Sequence, residues 1–446
     1  MTTFGGLGTP VAVFAAAMLV AYLSLFPAIF ALIVARARRT WGAAALFIVP
    51  FAWVTTELGR QYVWDGFPWA LLGYSQVTVL PVAQAASVVG VYGLSWLLAM
   101  TGAAVAAVVL ERGMARWAPA AGAVVLIGAI ALWGSARLRA SSLTSQGESV
   151  RVAVVQGNIK QEDKWNPALG DLITEQYLAM TREALEHRGA TLILWPESAT
   201  PFYFERDLIR GGEIRRLARE AGATLLIGSD QVEPMKATSA TDKPEELYYN
   251  AAFLVKPDGS IGAVYRKMHL VPFGEYVPLK SLLFFVGPIV EAVSAFSPGR
   301  DPVLLPVGTH RISTAICYEV IFPSLIRRFV LDGSELLTTI TNDAWYGRSS
   351  AAYQHWEQAT MRSIEQGRYL ARAANTGVSG FVDPYGRVLQ KTDLFHPAVL
   401  VEDLRFIQTK TIYGQIGDLV AWLSLAVVII TLAGTMRRKP LDRLTR

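Results

Sequence analysis

Five stretches of the chain carry no charged residue: Met1–Ala35, Thr40–Thr56, Gly66–Leu110, Trp117–Ala136 and Leu419–Met436. About 20 apolar residues cross the roughly 30 Å hydrocarbon core of a bilayer, and a charge near the centre of a span is costly. The pattern predicts membrane helices over 11–34, 42–57, 86–110 and 118–135, and a further one over 415–436. The first run has no basic n-region and is longer than an h-region, so Val11–Val34 reads as a retained helix rather than a cleaved signal. The 45 uncharged residues of Gly66–Leu110 hold either one span with an interfacial stretch or a tight hairpin. Trp64, Phe67, Trp69 and Tyr74 favour the interfacial stretch, because amphipathic rings collect at headgroup depth.

From Arg151 the periodicity changes. Val152–Gln156, Thr191–Trp195, Thr224–Gly228, Ala252–Val255, Ile312–Ile316 and Leu336–Ile340 are short apolar runs that read as buried strands. Asp171–Arg188 and Glu213–Ala221 have helical spacing, Pro257–Gly259 and Asp383–Arg387 make turns, and Thr238–Glu246 is the expected flexible loop. Strands alternating with helices imply α/β layers around one large core. The chain thus divides into N-terminal transmembrane helices at 1–140, an α/β domain at 150–410 and a C-terminal transmembrane helix at 415–436.

Composition supports a membrane protein, with 52% hydrophobic and 17% charged residues. The net charge of +5 splits into +4 over residues 1–150, −2 over 151–410 and +3 over 411–446. The basic excess lies beside the spans and not on the α/β domain, which removes the main support for nucleic-acid binding. Arg36, Arg38 and Arg39, then Arg112 and Arg116, then Arg437, Arg438 and Lys439 flank the spans. Placing all three groups in the cytoplasm leaves 137–414 on the opposite side. One cysteine, Cys317, excludes an internal disulfide framework, a cysteine zinc finger and an iron–sulfur centre.

Cys317 follows the apolar run Ile312–Ile316. A lone cysteine is often a small buried hydrophobe, but strand C-termini in α/β sheets are also where reactive groups are presented. A thiol becomes nucleophilic when a base takes its proton or a cation lowers its pKa. Glu197, in Leu194-Trp195-Pro196-Glu197-Ser198, also sits at a strand end, where a partly desolvated carboxylate can act as base and then acid. Lys267 lies in the dense run Tyr265–Pro278, and a fixed ammonium there suits a tetrahedral oxyanion, although a surface charge is the usual fate of a lysine. His269 invites a Cys-His reading without any local motif to anchor it, and structural hydrogen bonding suits it better. Asn342–Gly347, Gln354-His355-Trp356, Glu365–Arg368 and Arg372–Gly377 read by themselves as structural polar residues.

In that order Glu197, Lys267 and Cys317 resemble the Glu-Lys-Cys triad of the nitrilase, or carbon–nitrogen hydrolase, superfamily. Longer strings are more specific. Val155–Ile159 with Lys164-Trp165, the Lys267–Pro278 run, Cys317-Tyr318-Glu319, Asn342–Gly347, and Gly66–Trp69 with Gly73–Gln76 are similar to the bacterial apolipoprotein N-acyltransferase family. The resemblance covers about residue 50 to the C-terminal helix. It implies a nitrilase-like α-β-β-α sandwich on an α-helical transmembrane bundle, in the bacterial inner membrane and facing the periplasm. It further implies that Cys317, activated by Glu197, takes an acyl chain from the sn-1 position of a phospholipid, typically phosphatidylethanolamine, as a thioester. The chain then passes to the α-amino group of the diacylglyceryl-cysteine of an apolipoprotein, the last step of lipoprotein maturation. By the same correspondence Lys267 and the Tyr318 backbone N–H hold the oxyanion and Glu275 assists. Trp165, Tyr318, Glu319 and Trp345 shape the acyl and amine sites. No metal or diffusible cofactor is implied; the partners are lipid, lipoprotein and membrane, with a monomeric protein and no nucleic acid.

The sequence also departs from the family. Four or five membrane helices are two or three fewer than the family generally carries, through a truncated start or because this member manages with fewer. Glu57-Leu58-Gly59-Arg60 stands where Glu-Trp-Leu-Arg is usual, with Trp53 elsewhere. Phe284, Phe285 and Val286 suggest a lid within Glu275–Glu291. Three rival readings remain: a membrane-tethered amidase using water as second nucleophile, a transporter with a large external domain, and a catalytically dead binding module. The near absence of ionisable groups in the spans disfavours the transporter.

Overall fold

The structure, a computed structural model, describes residues 8–235, 246–276 and 296–437. The expected flexible loop lies outside these except for Glu246, which begins a strand. The described residues form two units, one built on Pro10–Ser141, Ile364–Gln366 and the chain from Lys410 onward, the other on Ser142–Ser363 and Gly367–Thr409.

The first unit is helical: α1 (Thr9–Trp41), α2 (Val49–Tyr62), α3 (Ala86–Leu110), α4 (Ala118–Ala140) and the C-terminal helix Leu419–Arg437. Among the described residues four segments are long and apolar enough to cross a membrane: Thr9–Tyr62, Ala86–Leu110, Met114–Ser145 and Leu419–Arg437. Pro50 and Pro119 lie in the first turns of α2 and α4, where a missing N–H costs nothing. The charge-free run ends at Thr56, yet α2 continues to Tyr62 and buries Glu57. The carboxylate is tolerated because it accepts the Trp53 indole N–H at 3.0 Å, one turn earlier, and the Leu72 N–H at 2.7 Å. Gly66–Leu110 holds one long helix preceded by the short helical turns Leu72–Gln76 and Leu80–Ala83, so the hairpin alternative falls away. Within α3 the backbone breaks at Gly90 (φ +67°), where a Cβ would stand 2.4 Å from the Tyr413 ring. The Val91 N–H freed by this break donates to the Glu365 carboxylate at 2.8 Å.

The second unit holds two six-stranded sheets. The first runs in the order β12 (Ala398–Arg405), β1 (Ser149–Gln156), β2 (Leu192–Leu194), β3 (Thr224–Pro234), β4 (Glu246–Val255), β5 (Ile261–Arg266). The second runs β11 (Val388–Lys391), β10 (Gly380–Val382), β9 (Leu370–Ala374), β8 (Leu336–Thr341), β7 (His310–Ile316), β6 (Leu305–Val307). Strands β1-β2-β3 and β7-β8-β9 are parallel and the flanking pairs antiparallel. The sheets pack face to face, β1 against β9 and β4 against β7. Helices α5 (Gly170–Arg182) and α6 (Arg210–Ala221) cover the first sheet through Ile173, Tyr177, Ile214 and Ala218. Helices α7 (Pro323–Leu331) and α8 (Ser350–Gln366) belong to the second half, which gives an α-β-β-α sandwich. The helix expected over 171–188 is α5 to Arg182 and then a π-helical turn over Glu183–His187.

Candidate active site

Three strand ends converge. β2 leads through Trp195 and Pro196 to Glu197, β5 ends immediately before Lys267, and β7 ends immediately before Cys317. The Lys267 Nζ stands 3.2 Å from Glu197 Oε1 and 2.8 Å from Glu275 Oε1, with the lysine side chain 1% exposed. Asn250, near the middle of β4, donates its Nδ2 to Glu197 Oε1 at 2.7 Å and to Glu275 Oε1 at 2.8 Å. Glu197 Oε2 accepts the Asn342 N–H at 2.8 Å, and the Glu197 carbonyl accepts from Lys164 Nζ at 3.1 Å. Gly228 permits this approach, since a Cβ there would lie 2.1 Å from the Pro196 carbonyl. Glu275 is itself held by the Val271 N–H on Oε2 at 2.8 Å.

The charges decide the resting state. Burial opposes ionisation of Glu197, but the Lys267 ammonium, the Asn250 amide and Lys164 together outweigh it and hold the carboxyl below its ordinary value. Burial also opposes charge on Lys267, and the Glu197 and Glu275 carboxylates overcome it, holding its pKa well above the ordinary range. Lys164 is lowered by burial, against the pull of Glu197 and Asp230. Burial and then the Glu197 charge push the Cys317 thiol up, against the pull of Lys267. The site at rest is therefore an ionised carboxylate, an ammonium and a protonated thiol.

Cys317 sits in the left-handed region at φ +52°, on the sharp turn from β7 into the short helix Cys317–Ile321. Such a conformation is strained for a residue with a Cβ and persists where surrounding contacts over-determine it. Glu319 supplies some of these contacts. Fully buried, its Oε2 accepts the Ile316 N–H at 2.8 Å, and its Oε1 accepts the Tyr265 hydroxyl at 2.8 Å and the Met268 N–H at 2.6 Å. It ties the cysteine turn to the segment after Lys267 and reaches no open surface. Tyr318 is buried with its ring edge-on to Phe322 at 5.2 Å, whereas Trp165 and Trp345 are 47% and 52% exposed. His269 stacks flat on Phe322 at 4.3 Å, a packing role. The lid expected within Glu275–Glu291, with Phe284, Phe285 and Val286, lies outside the described residues beyond Tyr276.

Asn250 went unmarked in the sequence because an amide inside an apolar strand has no motif; only its neighbours in space reveal what it joins. Asn375, in the string Arg372–Gly377 read from the sequence as structural, has its Nδ2 3.1 Å from the Asn342 Oδ1 and 2.7 Å from the Ile159 carbonyl, joining the ends of the two sheets. Among the described residues there is no cluster of His, Cys, Asp and Glu able to hold a metal. The arrangement can carry out acyl transfer, with a base, a nucleophile and a fixed cation in one buried cluster.

The profile of the carbon-nitrogen hydrolase family matches residues 151–411, and that of the apolipoprotein N-acyltransferase N-terminal domain matches residues 1–104. The apolipoprotein N-acyltransferase of Geobacter metallireducens is 40% identical, with 98% of this chain and 83% of that protein covered. That of Methylococcus capsulatus is 34% identical, covering 98% and 84%. That of Shewanella oneidensis is 35% identical, covering 94% and 80%.

Proposed function

The chain belongs to the apolipoprotein N-acyltransferase family, an acyltransferase with a catalytic domain of the carbon–nitrogen hydrolase kind, and from that premise we propose a two-step transfer through Cys317. In the first step the Cys317 sulfur attacks the carbonyl carbon of the sn-1 ester of a phospholipid, phosphatidylethanolamine first among them. The thiol proton passes to Glu197 as the C–S bond forms, and Lys267 with the Tyr318 N–H holds the oxyanion. The C–O bond then breaks, the departing alkoxide takes the proton from Glu197, and a lysophospholipid leaves. In the second step the neutral α-amine of a diacylglyceryl-cysteine attacks the thioester. Glu197 takes the amine proton and returns it to the departing sulfur, leaving an N-acylated lipoprotein and the free thiol.

The observation that carries this reading is the buried Glu197–Lys267 pair, 3.2 Å apart, whose charges act on a Cys317 thiol that burial pushes up. A thiol raised by burial is inert until a base removes its proton, so reaction is confined to a bound substrate. Glu275 and Asn250 hold Lys267 and Glu197 in place, and Glu319 positions the cysteine turn from behind. Exposed Trp165 and Trp345 offer apolar surface to the acyl chain and the acceptor. On this reading the loop arginines lie in the cytoplasm, the catalytic domain faces the periplasm of a bacterial inner membrane, and the chain acts as a monomer.

Intact mass of detergent-purified protein incubated with phosphatidylethanolamine tests the proposal. The expected result is a hydroxylamine-labile adduct of one fatty acyl chain, absent from Cys317→Ala and discharged by a diacylated lipopeptide. Discharge at the same rate by water alone would make the protein a tethered hydrolase, and folded protein without any adduct would sink the thioester.

A further inference from the structure

Beneath Cys317 lies a buried array that the triad chemistry leaves unused. His355, on α8, places Nε2 3.0 Å from the Cys317 carbonyl oxygen. Its Nδ1 stands 3.0 Å from Asp343 Oδ1 and 3.0 Å from Arg372 Nη2, and Arg372 Nη2 is 2.9 Å from Asp343 Oδ2. The Thr341 hydroxyl donates to Asp343 Oδ1 at 2.8 Å, and Arg372 Nε to the Val378 carbonyl at 3.2 Å. None of the three side chains reaches solvent. A carbonyl oxygen only accepts, so Nε2 carries the proton. Burial and the Arg372 cation disfavour a second one, so Nδ1 receives the Arg372 N–H.

The carbonyl of Cys317 and the N–H of Tyr318 are the two ends of one peptide group. The described chain has no cis peptide, so this group is trans and planar and its C=O and N–H point in opposite directions. A donor fixing the carbonyl from beneath therefore fixes the direction of the N–H above. It also polarises the amide and strengthens that N–H as a donor. We propose that His355, held through the Arg372 N–H on its Nδ1 while Asp343 anchors Arg372, is the positioning residue that aims the Tyr318 N–H at the oxyanion formed on Cys317. The inference rests on the acyl-transfer reading given above.

Three measurements on His355→Leu and His355→Gln test it; Leu removes the donor, and the Gln amide can still reach the carbonyl. His355→Met replaces Leu if Leu does not fold. The acyl-loading rate of the Leu variant should fall about 100-fold, the cost of losing one oxyanion donor, with the half-saturating phospholipid concentration unchanged. His355→Gln should recover to within about tenfold of wild type. Alkylation of the single cysteine by iodoacetamide builds no oxyanion, so its rate should be the same in all variants. Parallel loss of alkylation and acylation, a wild-type loading rate in Leu, or no rescue by Gln would overturn the proposal. Hydrolysis of a p-nitrophenyl ester reads the same oxyanion without lipid. If wild type cleaves that ester but takes no acyl chain from phospholipid, the lipid reading fails while the variants still judge the inference; if it does neither, both fail.

Discussion

Glu197 and Lys267 are each paired, hydrogen-bonded and almost wholly buried, so neither charge stands alone away from water. Buried pairs of this kind contribute little net stability, but removing one member leaves the other uncompensated. In the proposed reaction the ionised Glu197 receives the Cys317 proton. Glu197→Gln keeps the shape and removes the base, and the rate of acyl loading should fall by about 10³-fold, within the usual range for a general base. A quench-flow mass measurement checks this, and a loss under tenfold would show that another group takes the proton. As candidates the three residues were legible in the sequence, Glu197 and Cys317 because each follows an apolar run and Lys267 because it lies in the dense run Tyr265–Pro278. Asn250, which donates to both Glu197 and Glu275, was not, and neither was the contact of His355 with the Cys317 carbonyl. A hydrogen-bond partner is chosen by proximity in the fold, and His355 is 38 positions from Cys317 along the chain.

At the scale of elements, β2 and β3 must approach closely for Glu197 to reach its place. Gly228 provides the room, and Gly228→Ala would drive a Cβ into the Pro196 carbonyl and to 2.7 Å from the Glu197 Cα. Because both obstacles are backbone atoms, the destabilisation should be about 3 kcal/mol, the upper end for overpacking, together with slowed acylation. Thermal unfolding of the detergent-purified variant measures it, and an unchanged midpoint would mean that β2 can yield. At the other end of the second sheet, His310 begins β7 between Glu335 Oε2, 2.8 Å from Nδ1, and Glu148 Oε2, 3.1 Å from Nε2, with its ring stacked on Phe406. Burial alone would lower its pKa, but the hydrogen bonds to Glu335 and Glu148 raise it above the ordinary value. A raised folded pKa means that the folded state binds the proton more tightly than the unfolded chain. This stabilisation is complete below about 6.5 and is lost as the pH rises through the folded pKa. His310→Phe keeps the stack and should flatten that part of the stability curve; an unaltered slope would assign the pH dependence elsewhere. The strands preceding Cys317 and Glu197 were legible from apolar runs. Helix α8 was not, because Gln358, Arg362, Ser363, Glu365 and Gln366 are all buried and mask its inward face.

For the molecule as a whole, orientation across the membrane is the property with the longest reach, since it decides which lipids and proteins the site can meet. Cys317→Ala removes the one native thiol and makes introduced cysteines unambiguous. In spheroplasts, a membrane-impermeant maleimide should label Glu220→Cys on the exposed side of α6, but label Met114→Cys, 84% exposed between α3 and α4, only after permeabilisation. The reverse pattern would invert the proposed topology. The sequence by itself determined that this protein has membrane helices at both ends of an α/β domain. Twenty-residue apolarity and two-residue alternation are local properties that depend on no distant partner. Only the tertiary structure decided that α2 carries a buried acid past the end of its charge-free run, that α3 breaks at Gly90, and that one peptide group at Cys317 is gripped from below. Each of these depends on a polar atom finding its partner far along the chain, from Leu72 to Glu57, Glu365 to Val91 and His355 to Cys317, and such pairs exist only once the strands and helices have packed.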